Sequence, residues 1–458
     1  MSQPPEVAGA VVDVTVDLHV VDVAVIGAGF AGLTAATDLR AAGLSVVVLE
    51  ASDRVGGKTE SQLDALGTLV DTGGQFLCEE MPLVRALVAA AGVDLISNDH
   101  PGRPVTVPAE AANAWESAET LFAEAGRYPP APEGTSVLEW ARSLAAGVVQ
   151  NAVHVAPMTT NDRGRAATET VVEALHSLVD GVMCHDSALL SMPALQHMQH
   201  RTAPIEAELQ YSVAGTMHRL AQWLAAPLAD AVRLSCPVSR VVVDHDGATL
   251  HHGGGRVRAR HVVVAIPPSA HPNVQFEPPL PHHVVAAAAG FVPGDVIKII
   301  LRYDTPHWLA AGTNGTARFV QPRGLYFADA SLPGAPMLVA FVGGPLAAAW
   351  RALDALPRRT LVLRHAVTAF GADVANPVAY LEREWPPDQW GAGGYCNVGL
   401  VDGRLAGTQR SVETLRDGVG RLTFAATELA AAFPGYVEGA IAAGRVGARQ
   451  ALERLATC

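Results

Sequence analysis

The chain has 458 residues, enough for one large two-domain body or about three domains, and enough to bury a sizeable core. Hydrophobic residues at 49% and charged ones at 17% exclude a disordered, solvating chain. The net charge of −13, with no basic cluster, argues against a nucleic-acid partner, where Lys and Arg must neutralise phosphates.

The mean hydropathy of +0.22 raises the question of a membrane span. The longest apolar candidate, residues 11–33, is broken by Asp13, Asp17 and Asp22, whereas a span needs about 20 mostly apolar residues. No span is expected. Residues 1–18 have no basic leader region, so a cytoplasmic protein is expected. Five scattered cysteines, odd in number, imply no disulfide framework.

Residues 21–26 form a short apolar run of the kind that makes a buried parallel strand. Gly27, Gly29 and Gly32 follow, then a predicted helix over 33–42 closed by Gly43, and a second apolar strand over 45–49 that stops at Glu50. Strand, glycines, helix, strand and acid in that order are the fingerprint of a dinucleotide-binding βαβ unit. Gly27 serves the tight turn, Gly29 the approach of a pyrophosphate, and Gly32 the packing of helix on sheet. Glu50 is placed to accept hydrogen bonds from ribose hydroxyls, and the helix N-terminus favours the phosphates.

Two glycine pairs come soon after, in Arg54-Val55-Gly56-Gly57-Lys58-Thr59 and, beyond a hairpin-like stretch, Asp71-Thr72-Gly73-Gly74-Gln75. They suggest backbone held against a bulky flat ligand. Here the chain resembles the flavin-dependent amine oxidases, a family that includes monoamine, polyamine and putrescine oxidases. The family has arginine where this chain has Lys58, and lysine meets a phosphate as a point charge without the bidentate fork.

The resemblance continues through 211–221, a strand predicted over 233–243 with Val238 at the adenine position, and the strand and Pro stop of 261–268. The alanine tracts 286–289 and 430–432 read as helical composition bias, and His251-His252 and His282-His283 as turn-like surface pairs. No metal site is expected. In the run 295–301, which opens on Asp295, Lys298 is the one charged residue set among apolar neighbours; it reads either as an edge-strand, snorkelling lysine or, by resemblance, as the lysine that holds a water at flavin N5. Trp385 matches the family's flavin-facing tryptophan. In 390–397 the ungapped register puts Tyr395 on one wall of an aromatic cage and Gly394 where some members bear the cysteine bonded to flavin. A shifted register would put Cys396 there. A strand over 422–425 ends at Thr427-Glu428, and a helix opens at about 434–440. The resemblance makes Glu428 and the Val437 N–H cofactor contacts and Tyr436 the second cage wall. Ala31, Ala51, Arg54, Gly57, Lys58, Gly73, Gly74 and Gln75 complete the expected cofactor set.

The expected fold is α/β: a discontinuous Rossmann-type FAD domain (1–78, 209–293 and 386–458) with an α+β substrate domain (79–208 and 294–385). The resemblance implies non-covalent FAD and hydride transfer from an amine α-carbon to flavin N5. The products are an imine and then an aldehyde, with O2 as acceptor and H2O2 released; a homodimer is the one oligomer considered, and the sequence leaves it open. The alternatives are an L-amino acid oxidase, for which no carboxylate clamp is evident, a carbon–carbon desaturase or porphyrinogen-type oxidase, against which Lys298 and the tyrosine pair speak, and a non-catalytic flavin-binding module. Glu79 and Glu80 have two readings: an entrance acid for a diamine, or acids favoured at the start of a helix over 82–91.

Overall fold

A computed structural model describes residues 19–145, 162–203, 209–387, 390, 393–401 and 408–457. The leader reading of 1–18, part of the 390–397 turn and Cys458 lie outside these residues.

The first body is built on an eight-stranded sheet. His19–Ile26 lies at its centre, parallel to Val46–Leu49 on one side and to Gly255–Val264 on the other. The apolar run makes this position possible, because Val23, Ala24 and Val25 are fully buried and both sheet faces are covered. Leu422–Phe424 adds a parallel strand beside Gly255–Val264. The long C-terminal helix Val437–Ala456 packs on the helix Phe30–Ala41. The contact is close: a Cβ on Gly444 would stand 2.3 Å from the carbonyl oxygen of Ala31.

The second body is a six-stranded sheet in the order Ala379–Trp385, Val296–Arg302, Met337–Gly343, Leu325–Asp329, Thr313–Phe319 and Arg103–Val107. Only the last pair is parallel. Its core gathers Ile297, Ile299, Leu301, Phe319, Phe327 and Trp308 on one face. Helices Ala112–Ala123, Val137–Ala145 and Asp162–Val182 form a separate apolar cluster around Trp115 and Trp140.

Four expectations, and one of the two readings of Lys298, need correction. The strand read over 233–243 is two strands, Val232–Arg233 and Val238–Val243, toward opposite edges of the same sheet. Pro237 has no N–H to continue a ladder, and Ser235 turns with φ +53. Lys298 is not on an edge: Val296–Arg302 has a strand on either side. Alanines 430–432 are not helical, because Arg201 ties down the loop by donating to the carbonyls of Glu428 and Ala430 and accepting from the N–H of Phe433. His251 and His252 end a strand, and His282 and His283 open a helix, so neither pair sits in a turn. The early helix begins at Phe30 rather than at residue 33, since Gly29 is its N-cap.

Candidate active site

A cavity of about 1830 Å³ runs between the two bodies. At one end it is lined by Gly27, Gly29, Ala31, Glu50, Ala51, Arg54, Gly57, Lys58 and Val238; further along by Gly73, Gly74, Gln75, Lys298, Trp385, Tyr395, Glu428, Tyr436 and Val437. Gly32 lies just behind that wall, buried in the helix Phe30–Ala41. Every residue of the expected cofactor set, together with Lys298, Tyr395 and Tyr436, is thus at this cavity or directly behind it.

The glycine end is shaped by backbone. Gly27 has φ +101, a region few L side chains adopt, and a Cβ there would stand 2.9 Å from the Ala265 carbonyl oxygen. A Cβ on Gly32 would stand 1.9 Å from the Gly27 carbonyl oxygen. Gly29 and Gly57 face each other with no side chain between them, which leaves bare backbone at the start of a helix. That arrangement fits a pyrophosphate. Glu50 braces it: the Ala28 N–H donates to Oε2 at 2.6 Å, and the N–H and hydroxyl of Ser52 donate to Oε1.

Lys58 lines the cavity and has a protein acceptor. Its ammonium donates to the carbonyl oxygen of Tyr395 at 3.4 Å, so it reaches along the cavity toward the aromatic end. Arg54, also in the lining, is held by protein groups. It pairs with Glu60 at 3.1 Å and donates to the Thr59 carbonyl.

Lys298 is 3% exposed and gives all three ammonium protons to protein acceptors: the carbonyls of Asp71 and Gly73 at 2.7 and 2.8 Å and the Gln75 side-chain oxygen at 2.8 Å. It therefore fixes the segment that carries the second glycine pair. Burial pushes Lys298 down, against the pull of the Asp71 carboxylate, and pushes Asp71 up in turn. The Asp71 carboxylate accepts from the first N–H groups of the helix Met217–Ala225.

Trp385 donates from its indole to the Thr72 carbonyl at 2.9 Å, and Arg54 and Arg383 lie over its ring. Glu60 joins the two arginines from below. Burial alone would raise its carboxyl, but hydrogen bonds from Arg383 and Gln62 and the charges of Arg383 and Arg54 hold it at about 2. Tyr395 packs edge-on against Phe341, and Tyr436 edge-on against Phe433. Tyr436 is also the N-cap of the C-terminal helix, so Val437 presents a helix N-terminus to the cavity.

Glu428 supplies a test of the cofactor. It is 3% exposed; one oxygen accepts from the backbone and side-chain N–H groups of Asn397, while Oε2 has no hydrogen-bond partner among the described residues. An unpartnered carboxylate oxygen at the cavity wall fits a hydroxylated chain such as the ribityl of a flavin. With the glycine cradle, the donor set fits FAD.

Asn397, Arg201, Glu60, Arg383 and Phe341 were not expected at the site. Glu60 stands three residues after the first glycine pair, which is a usable signal; the other four carry none, since each meets its partner only through the tertiary fold. Glu79 and Glu80 do not line the cavity. Of the two groups with metal-like spacing among the described residues, His176, Asp180 and Asp186 already have Arg323 among them, and Asp244, His245 and Asp246 are exposed. The four described cysteines are free thiols, and no described helix is long and apolar enough to cross a membrane.

Fold and cavity together define a two-body, dinucleotide-binding flavoprotein. The chain belongs to the flavin containing amine oxidoreductase family, whose model matches residues 30–452. It is 30% identical to a putrescine oxidase of Kocuria rosea, over 94% of this chain and 95% of that one. Among solved structures it resembles cyclohexylamine oxidase from Brevibacterium oxydans (TM-score 0.81, 25% identity, 95% of this chain and 99% of that one). A putrescine oxidase with putrescine bound gives TM-score 0.79 at 26% identity, covering 95% and 99%. The chain is therefore an FAD-dependent oxidoreductase acting on amines, with a Rossmann-type FAD body and a substrate body. The amino acid oxidase and desaturase alternatives are not favoured.

Proposed function

We propose that a neutral amine is oxidised where Lys298, Tyr395 and Tyr436 meet the glycine-lined path, with FAD held non-covalently. The observation that carries this is a single cavity joining the Gly27–Gly29 turn to that aromatic end. When bound, the isoalloxazine supplies the acceptor for the hydride leaving the amine α-carbon. The chain's own residues do the rest. Tyr395 and Tyr436 offer electron-rich ring faces to the amine nitrogen. Val437 directs a helix N-terminus at the place where negative charge develops. Lys298 holds the Gly73–Gln75 backbone in register and places a cation beneath it. Trp385, pinned to Thr72, keeps water from that side. The domain division follows the two sheets, with boundaries near residues 78, 208, 293 and 385. Oxygen is the proposed acceptor, giving H2O2.

Non-covalent attachment rests on two features. A Cβ at Gly394 would stand 2.5 Å from Val296 Cγ1, so a cysteine has no room at that register. Burial pushes the Cys396 thiol up to about 11, which withholds the thiolate that a thioether bond requires.

Two measurements test the reading. Anaerobic amines should bleach the yellow protein, and acid should release free FAD. If no amine bleaches it, the catalytic assignment fails; if flavin stays on the denatured chain, the attachment assignment fails.

A further inference from the structure

The hydrogen-bonding capacity of Lys298 is spent on protein. An ammonium has three donors and no acceptor. All three donors are taken: by the Asp71 carbonyl at 2.7 Å, the Gly73 carbonyl at 2.8 Å and Gln75 Oε1 at 2.8 Å. The side chain is also covered, with the ammonium 5.9 Å from the centre of the Phe341 ring. The resemblance gives this lysine a water to hold, and in this chain no proton is left to hold one with.

The third of those bonds fixes the direction of a second group. An amide side chain has an acceptor end and a donor end of nearly the same shape. At Gln75 the choice is forced. Lys298 can only donate, so the Gln75 oxygen faces it and the NH2 points the other way. Gln75 is 9% exposed and lines the cavity with Lys298, Phe341 and Tyr395. Its Nε2 has no acceptor among the described residues, yet it is not sealed within protein. A bond assisted by the lysine charge is stronger than a neutral one, so the amide is held in this direction.

Gln75 also stands in the right place. It follows the glycine pair Gly73-Gly74 and precedes Phe76, which packs edge-on against Phe341 at 6.4 Å. Phe341 meets Tyr395 edge-on at 5.7 Å. The amide thus joins the second glycine pair to the aromatic end.

We propose that Gln75 supplies the hydrogen-bond donor at the reacting centre, where its NH2 holds a neutral acceptor such as water, and that Lys298 is the positioning residue that aims it. This division suits a neutral amine. A free ammonium beside the substrate would compete for the amine lone pair, whereas an amide N–H is a weaker donor and leaves that pair available. The inference rests on the proposed amine site, since it takes Lys298, Tyr395 and Tyr436 to mark the reacting end.

Two variants of the holoenzyme separate the donor from the tether. Gln75→Glu keeps an oxygen for Lys298 and has no N–H at neutral pH. Gln75→Met is uncharged, close in size, and has neither. Both should purify yellow, because the glycine turn is untouched. With hexylamine in anaerobic stopped flow, flavin reduction should slow at least about tenfold in both, as when one aimed donor is lost from an active site. Gln75→Met should also shift the visible flavin band and make the midpoint potential more negative, neither of which a merely structural role would do. Adding Lys298→Met to Gln75→Met should slow reduction by less than about a further twofold, since groups that act as a unit are not additive. Wild-type rates and spectra in both Gln75 variants overturn the proposal, and so does a double variant whose loss is the full product of the single losses. If hexylamine does not reduce the wild-type flavin, the amine site itself is misplaced, while the spectrum and potential of Gln75→Met still decide whether the amide donates at the flavin.

Discussion

The two ends of the cavity are built on different principles. The cofactor end is made by residues close in sequence: Gly27, Gly29, Gly32 and Glu50 fall within one βαβ unit, and their contacts are mostly backbone. The substrate end is made by one residue from each of several strands, with Lys298, Phe341, Tyr326 and Arg318 aligned only by pairing register. Local backbone geometry leaves a motif in the sequence. A row across a sheet leaves none, because its members are separated by strands and turns of arbitrary length. Binding a constant cofactor with backbone and a variable substrate with side chains from a sheet lets the second change without disturbing the first.

If the cofactor end depends on bare backbone, filling it should have the largest effect. Gly32→Ala places a methyl group 1.9 Å from the Gly27 carbonyl oxygen in a helix that is otherwise packed. Overpacking of this kind costs on the order of 3 kcal/mol. A fall in melting temperature and purification largely as colourless apoprotein are expected, measured by calorimetry and by absorbance of the flavin. A yellow, stable Gly32→Ala protein would mean that the turn tolerates a side chain and that the contrast between the two ends is false.

Lys298 stands where the ends meet. Lys298→Met leaves the Asp71 and Gly73 carbonyls and the Gln75 side chain without their shared donor, and it removes the buried cation. FAD should remain bound, because the glycine turn is untouched. Stopped-flow reduction or reoxidation of the flavin should slow by at least about tenfold, about 1.4 kcal/mol of barrier. Unchanged rates in both half-reactions would make Lys298 a structural tether only.

The limits of the sequence follow the same line. The βαβ unit, the hairpin between the glycine pairs and the C-terminal helix were readable because each rests on a contiguous pattern, whereas Trp385 and Glu428 were singled out by the family resemblance. Lys298 was ambiguous from the string, since an apolar run with one charge does not say whether its strand is central or at an edge. Arg201 and Asn397 were invisible: each meets Glu428 from a distant element. The run 430–432 was misread because alanine favours a helix by propensity, whereas hydrogen bonds to Arg201 decide the local structure.

Glu60 sharpens the comparison through pH. Its folded carboxyl, at about 2 against the usual 4.5, is lowered, so its contribution is present above pH 4.5 and lost as pH falls toward 2. The shift corresponds to roughly 3 kcal/mol at neutral pH. Glu60→Gln should lower neutral-pH stability by about that order and flatten the acid limb of a stability–pH curve. Parallel curves for wild type and variant would show that the Arg54–Glu60–Arg383 bridge beneath Trp385 adds nothing.

The smallest effect is expected at Glu79 and Glu80, and there neither earlier reading holds in full. Glu79 pairs with Arg85 at 2.7 Å and accepts from the Tyr211 hydroxyl, with half its side chain exposed. The helix Pro82–Ala90 has no acid in its first turn, and its N–H groups at Leu83 and Val84 donate instead to Glu438 from the C-terminal helix. The glutamates therefore do not cap that helix, and neither lines the cavity. An exposed pair such as Glu79–Arg85 contributes about 0.2–1 kcal/mol, so Glu79→Gln should lower stability by no more than that. KM for hexamethylenediamine and for hexylamine should move together, by less than about twofold, in both Glu79→Gln and Glu80→Gln, because loss of a charged contact to substrate would cost about 1.5–3 kcal/mol. A rise confined to the diamine would bring an acid into the substrate path from outside the sheet row, and the substrate end would then no longer be the work of one wall.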